Sequence, residues 1–171
     1  MLKKLTFISL ILLSFASCEE NKKSQSQSQS QSQSQTVPNF NADSAYHYVK
    51  QQLDFGPRVP GSEAHAQCVE WFIDFFNDKA DTVYIQDFRT RLYNGNGIDG
   101  KNIIASFNPP AKKRILLAAH YDSRPFADHD PDENNWNTPI DGANDGASGV
   151  GVLMEIARLL KDNPTKAGVD I

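Results

Sequence analysis

Two segments constrain the fold most: 114–120, RILLAAH, a short and nearly all-apolar run, and 147–160, ASGVGVLMEIARLL, a helix-length stretch. The first has no polar face to give to water, as expected of a strand covered on both sides in an α/β sheet. In the second, Val150, Leu153, Met154, Ala157 and Leu160 recur at helical spacing, and Val152, Ile156 and Leu159 add apolar surface on other sides. The spacing predicts a well-buried helix that opens at Gly146 or Ala147. Strand and helix are joined by a long polar segment, 121–144, and a loop of that length inside a domain is usually functional or disordered.

The elements before this pair complete an α/β pattern. Asp43 or Ser44 is a good cap for a helix through Leu53, with Gly56-Pro57 ending it. Ser62 is placed to cap a second helix to about Asn77, with Ala64, Cys68, Trp71, Phe72, Phe75 and Phe76 on one broad apolar face. DTVYIQDFRTRLYN predicts a strand pair or one long strand up to Tyr93, GNG at 95–97 and Asp99-Gly100 predict turns, and NIIASF (102–107) predicts a further strand. GVDI at the end reads as the first residues of another strand.

Length and charge narrow the function classes. The 171 residues suit one domain of ordinary size, and hydrophobic content of 39% with net charge −4 places the bulk among globular proteins. The longest basic run is Lys112-Lys113-Arg114, so nucleic acid is an unsuited partner: no cluster supplies the counterion release that such binding depends on.

The N-terminus reads as targeting rather than fold. Lys3 and Lys4 precede an apolar stretch, Leu5 to Phe15, of signal-peptide length and short of a bilayer span. Ala16 and Ser17 lead to Cys18, which resembles a bacterial lipobox in which the cysteine becomes the lipidated first residue. The expectation is a lipoprotein signal over 1–17 and an exported protein, lipid-anchored to the cell envelope through Cys18. A plain secretory signal with a chance cysteine is the alternative. Residues 24–35 are six Ser-Gln repeats, which bury nothing; 18–38 therefore reads as a disordered tether, of which Glu20 to Val37 would span roughly 23 Å root-mean-square as a flexible coil. Apart from Cys18 only Cys68 remains, so no internal disulfide is expected, and Cys68 reads as a small buried hydrophobe.

Chemistry concentrates at two places. His120, Tyr121, Asp122 and Ser123 stand where the strand 114–119 ends, and sites in open α/β sheets lie beyond the carboxyl ends of strands. IDGANDGASGVG then puts Asp145 at the start of the buried helix. Taken singly, His120 and Asp122 are a hydrogen-bonded strand terminus, and Asp145 is most simply a helix N-cap. In DHDPDEN (128–134) the acids alternate like a calcium loop, but Glu133 stands where an EF-hand needs glycine, and Pro139 where it needs its last ligand. A solvated acidic loop is the better reading, with Trp136 available to cover substrate. Tyr121, Arg124 and Phe126 either line the cleft or pack the loop.

Together, HYDS and GANDGASG in this order resemble the zinc-dependent exopeptidase and glutaminyl cyclase superfamily. LDFGPRVPGSEAH, NIIASF, AAHYDSRPFADHDPD and PIDGANDGASGVGVLMEIARLL are most similar to bacterial, animal-like glutaminyl cyclases. The resemblance covers about Tyr46 to Ile171, roughly the first half of that family's catalytic domain. It implies a three-layer α/β/α fold with a mixed, mostly parallel central sheet, and assigns 39–171 to the N-terminal part of such a domain. It also implies zinc: one ion in a cyclase, with Asp145 a ligand and Asp122 orienting His120, or two ions in an aminopeptidase, with His120 a ligand as well. The implied substrates are Gln-initiated peptide or protein N-termini. The remaining ligands and the general-base glutamate are expected after Ile171, and Glu155, inside the helix, is no substitute. The sequence is thus expected to be a fragment that is inactive alone. A non-catalytic surface lipoprotein of the same fold is the third possibility.

Overall fold

The structure, a computed structural model, describes residues 37–92 and 94–171. The signal, Cys18, nearly all of the Ser-Gln tether and Tyr93 lie outside the described residues. No helix among the described residues is long and apolar enough to cross a membrane.

Helix α1 spans Ala42–Asp54 and is capped by Asn41, whose side chain accepts from Ser44 N at 3.0 Å. The expected cap at Asp43 or Ser44 is corrected: Ser44 is the donor that the cap satisfies, three residues into the motif. Asn41 N donates in turn to Glu155 Oε1 at 3.0 Å, tying the start of α1 to α3, Ser148–Asp162. The two helices pack closely because Gly151 has no side chain; a Cβ there would lie 2.7 Å from Ala45 O. Helix α2, Glu63–Lys79, starts at Ser62 as its sequence indicates, with Ser62 Oγ accepting from His65 N at 3.2 Å. It buries His65, Cys68, Val69, Phe72 and Phe76, a stripe at helical spacing.

Strands β1 (Thr82–Arg91) and β2 (Gly97–Phe107) form one long antiparallel hairpin, registered from Thr82 opposite Ser106 to Arg91 opposite Gly97. The turn expected at Asp99-Gly100 is not formed, because both residues pair inside β2, opposite Arg89 and Phe88. Gly100 serves there to seat the Phe88 ring, which any Cβ would strike. Strands β3 (Arg114–Leu116) and β4 (Gly168–Asp170) complete a mixed sheet of order β1-β2-β4-β3, with β4 antiparallel to β2 and parallel to β3.

The strand expected to run to His120, covered on both faces, is shorter and more open: Ile115 is 54% exposed and Leu116 72%. Leu117 N donates to Asp170 O at 2.9 Å, and among the described residues no strand flanks 118–120. The core lies between the sheet and α2 and α3, where Ala105 and Phe107 of β2 meet Cys68, Phe72 and Phe76 of α2 and Val150, Met154 and Ala157 of α3. Phe72, with its side chain almost wholly removed from water, contributes roughly 1.5–3 kcal/mol. Helix α3 is less enclosed than its composition suggests, since Val152 stands 43% exposed.

Candidate metal centre

The chain turns polar where the extended run 114–119 leaves the sheet, and His120 is the first residue past it. Its Nδ1 lies 3.3 Å from Asp122 Oδ1, and its Nε2 lies 3.0 Å from Asp145 Oδ1. The three side chains come from two places 25 residues apart and are each about half exposed, open to an incoming ligand. A neutral imidazole donates through only one nitrogen, so one of these two contacts needs a proton on the ring or a cation in its place.

Asp145 reaches His120 because the backbone before α3 is broken. The turn Ala143–Ala147 holds Asp145 at φ −96°, ψ 92° and Gly146 at φ 107°, ψ −38°, both outside the helical region. Asp145 is therefore not the N-cap of α3; Ala147 stands there and contributes no side-chain cap. Gly146 is needed twice over. Its φ suits glycine, and a Cβ would lie 2.6 Å from His120 O and 2.9 Å from the His120 ring. Ser148 Oγ closes the turn by donating to Asn144 O at 2.7 Å.

Beneath the site, Tyr121 packs against the core and also lines the pocket shared with His120 and Asp122. Its ring meets Phe72 and His65 at centroid distances of 5.5 and 5.2 Å, and its hydroxyl donates to Lys101 O at 2.8 Å. Burial pushes its phenol up to about 12 and depresses the His65 imidazole, which favours the neutral form of both groups. The loop beyond is held by its own bonds: Arg124 pairs with Asp128, Ile140 N donates to Arg124 O, and Trp136 Nε1 donates to Asp130 O at 2.8 Å. Phe126 and Trp136 remain 39% and 40% exposed. Glu155 faces away from this chemistry, fully buried, accepting from Arg158 and from Asn41 N.

Sequence reasoning missed three residues that frame the site. His65 stacks on Tyr121, Gln52 donates to Ala147 O at 3.1 Å, and Arg58 reaches both site segments. The helical spacing of His65 in α2 was a signal for its burial. No local pattern marks Arg58, a charged residue in a Pro/Gly loop.

An imidazole and a carboxylate are the donor types zinc prefers. Two ligands on a tetrahedral zinc sit about 3.3 Å apart, given bonds of about 2.0–2.1 Å, so the observed 3.0 Å fits with little adjustment. Among the described residues no group of three or more His, Cys, Asp or Glu side chains is placed to hold a metal. A catalytic zinc takes three protein ligands, so these residues supply part of a set.

A model of peptidase family M28 matches residues 102–171. The structure is similar to a glutaminyl cyclase of Bacteroides thetaiotaomicron solved with N-acetylhistamine, at 50% identity and a TM-score of 0.78, covering 80% of this chain and 47% of that one. A Zn-dependent exopeptidase from Parabacteroides distasonis matches at 48% identity and a TM-score of 0.78, with 80% and 47% covered. The glutaminyl-peptide cyclotransferase of Drosophila melanogaster is 26% identical over 106 residues, 62% of this chain and 27% of that protein. The chain thus spans about half the length of these solved relatives and about a quarter of the fly protein. In fold the chain is similar to these bacterial glutaminyl cyclase and zinc-dependent exopeptidase structures, and residues 102–171 match the M28 family.

Proposed function

We propose that the protein is a zinc-dependent glutaminyl-peptide cyclotransferase that converts the N-terminal glutamine of peptides to pyroglutamate with release of ammonia. The observation that carries this reading is the Asp145 carboxylate, lifted out of the helical path at the head of α3 and presented to His120. It occurs in a chain 50% identical to a solved bacterial glutaminyl cyclase.

In this reading Asp145 is a ligand of one zinc, and Asp122 holds the His120 ring beside it. Zinc held there by Asp145 would supply Lewis-acid polarisation of the glutamine γ-carbonyl. The α-amine nitrogen attacks that carbon, the bond to the side-chain amide nitrogen breaks, and the amine proton leaves with ammonia by way of a carboxylate base. An α-amine pKa of about 7.7–8.0 makes deprotonation easy, and closure within one molecule asks the site mainly to hold the attack geometry. The carboxylates of Asp122 and Asp145 fix the ring of His120 from both nitrogens, which keeps its position constant as charge shifts nearby.

Incubation of the intact parent protein with a Gln-initiated peptide should release ammonia without shortening the chain, and a chelator should stop it. Release of free N-terminal amino acids from varied peptides would establish a two-metal aminopeptidase instead, with His120 as a second ligand. The proposal of an exported lipoprotein rests on the sequence around Cys18. Cys18→Ala should move the protein to the soluble fraction, and retention at the membrane would place the anchor elsewhere.

A further inference from the structure

Arg58 is fully buried, yet among the described residues all of its side-chain hydrogen bonds go to backbone carbonyls. Nε donates to Tyr121 O at 3.0 Å and Nη2 to Gly142 O at 3.1 Å; Nη1 makes longer bonds to Gln52 O at 3.3 Å and Gly56 O at 3.4 Å. The two shortest bonds reach the two segments that meet at the site. Tyr121 lies between His120 and Asp122, and Gly142 begins the turn that carries Asp145. The link is returned by Ser123 N, which donates to Arg58 O at 3.1 Å.

The choice of arginine is informative. A buried charge with no directly bonded counter-ion is costly, several kcal/mol per ion. Burial works against the charge here, and the carboxylates of Asp141 and Asp122 support it only through space. Apolar packing would fill the space without that penalty. What it would not supply is a rigid planar fork that donates to several segments at once, which lysine also lacks. The fit against the turn is close: a Cβ on Gly142, itself at φ +64°, would lie 2.6 Å from Asp145 O and 3.1 Å from Arg58 Nη2.

We propose that Arg58 is a positioning residue, whose guanidinium sets the separation between the loop 120–123 and the turn 142–147 and so holds Asp145, beside His120, in place for metal binding. The inference rests on the reading of Asp145 as a zinc ligand. It adds that the site's geometry is set from the GPRVPGS loop between α1 and α2, by a side chain that touches neither metal nor substrate.

The test compares Arg58→Met, which removes the donors, and Arg58→Lys, which keeps a charge without the fork, in the full chain. Zinc affinity is read by competition with a chromophoric chelator, and the His120 ring nitrogens by ¹⁵N NMR in the metal-free protein. Both variants should lose roughly ten-fold or more in zinc affinity. In both, the change that Asp145→Asn causes in the His120 signals should shrink toward zero. Arg114→Met breaks the Arg114–Asp170 pair, which lies apart from the site, and controls for lost stability; it should leave both readouts as they are. Arg58 variants that keep wild-type zinc affinity and His120 coupling would overturn the proposal. So would failure of both variants to fold, which would make Arg58 structural. If the wild type itself holds no zinc, the zinc reading falls, while the NMR comparison still decides whether Arg58 positions the pair.

Discussion

His120 Nε2 sits 3.0 Å from Asp145 Oδ1, and the opposite ring nitrogen sits 3.3 Å from Asp122. A single imidazole thus bridges two carboxylates, one on its own loop and one on the turn before α3. If Asp145 is the ligand of one zinc, Asp145→Ala should empty the site, whereas His120→Ala should leave bound zinc near its wild-type stoichiometry. A two-metal site gives a different pattern, with His120→Ala removing about one of two ions. Metal content by mass spectrometry on dialysed protein separates the two.

Gly146 gives a sharper test of the same geometry, because it leaves every polar group in place. At φ +107° a non-glycine residue costs about 1–3 kcal/mol in backbone strain alone. A Cβ would in addition press on His120 O and on the ring. Gly146→Ala should therefore lower unfolding free energy by at least that amount in denaturant titration and weaken metal binding. A variant as stable as wild type would mean that the turn relaxes more easily than its contacts suggest.

What the sequence made legible follows the range of the interactions involved. The α2 face was readable because Cys68, Phe72 and Phe76 repeat at the period of the helix, and Ser62 because a cap acts within three residues. The meeting of His120 with Asp145 was readable as a pairing of motifs. That Asp145 is not the N-cap of α3 was not readable, because it depends on the backbone angles of Asp145 and Gly146. Asp99-Gly100 looks like a turn locally, but cross-strand pairing with Arg89 and Phe88 overrides that preference. Arg58 was the least legible of all, since its partners Tyr121 and Gly142 lie 63 and 84 residues away.

Glu155 distinguishes structure from chemistry. Its carboxylate is fully buried and accepts from Asn41 N at 3.0 Å and from the Arg158 guanidinium, so it joins the start of α1 to α3. Glu155→Gln keeps the shape but weakens charge-assisted bonds, and leaves Arg158 without its buried partner. It should lower stability by roughly 1–3 kcal/mol in denaturant titration. Zinc affinity and turnover per folded molecule should not change. Loss of turnover at full folding would give Glu155 a part in the reaction that its position excludes.

Cys68 links core packing to alkaline stability. It sits at zero exposure among Phe72, Phe76 and their neighbours, and burial pushes its thiol up to about 12, against a pull downward from Arg58. An unfolded chain releases the same proton at about 8.5. Between those values the unfolded state gains stability by ionising while the folded state does not. The Cys68 contribution is thus complete below about pH 8.5 and declines as pH rises toward 12. Cys68→Ala should cost about 1 kcal/mol near neutral pH through lost packing. The stability advantage of wild type over this variant should then shrink steadily above about pH 8.5, while alkylation of Cys68 in the native protein at pH 8 stays far slower than in the denatured chain. Measuring both proteins by denaturant titration from pH 7 to 10.5 decides it. A constant difference across that range would show that the thiol ionises as readily folded as unfolded, and so is less enclosed than its packing against α2, β2 and α3 indicates.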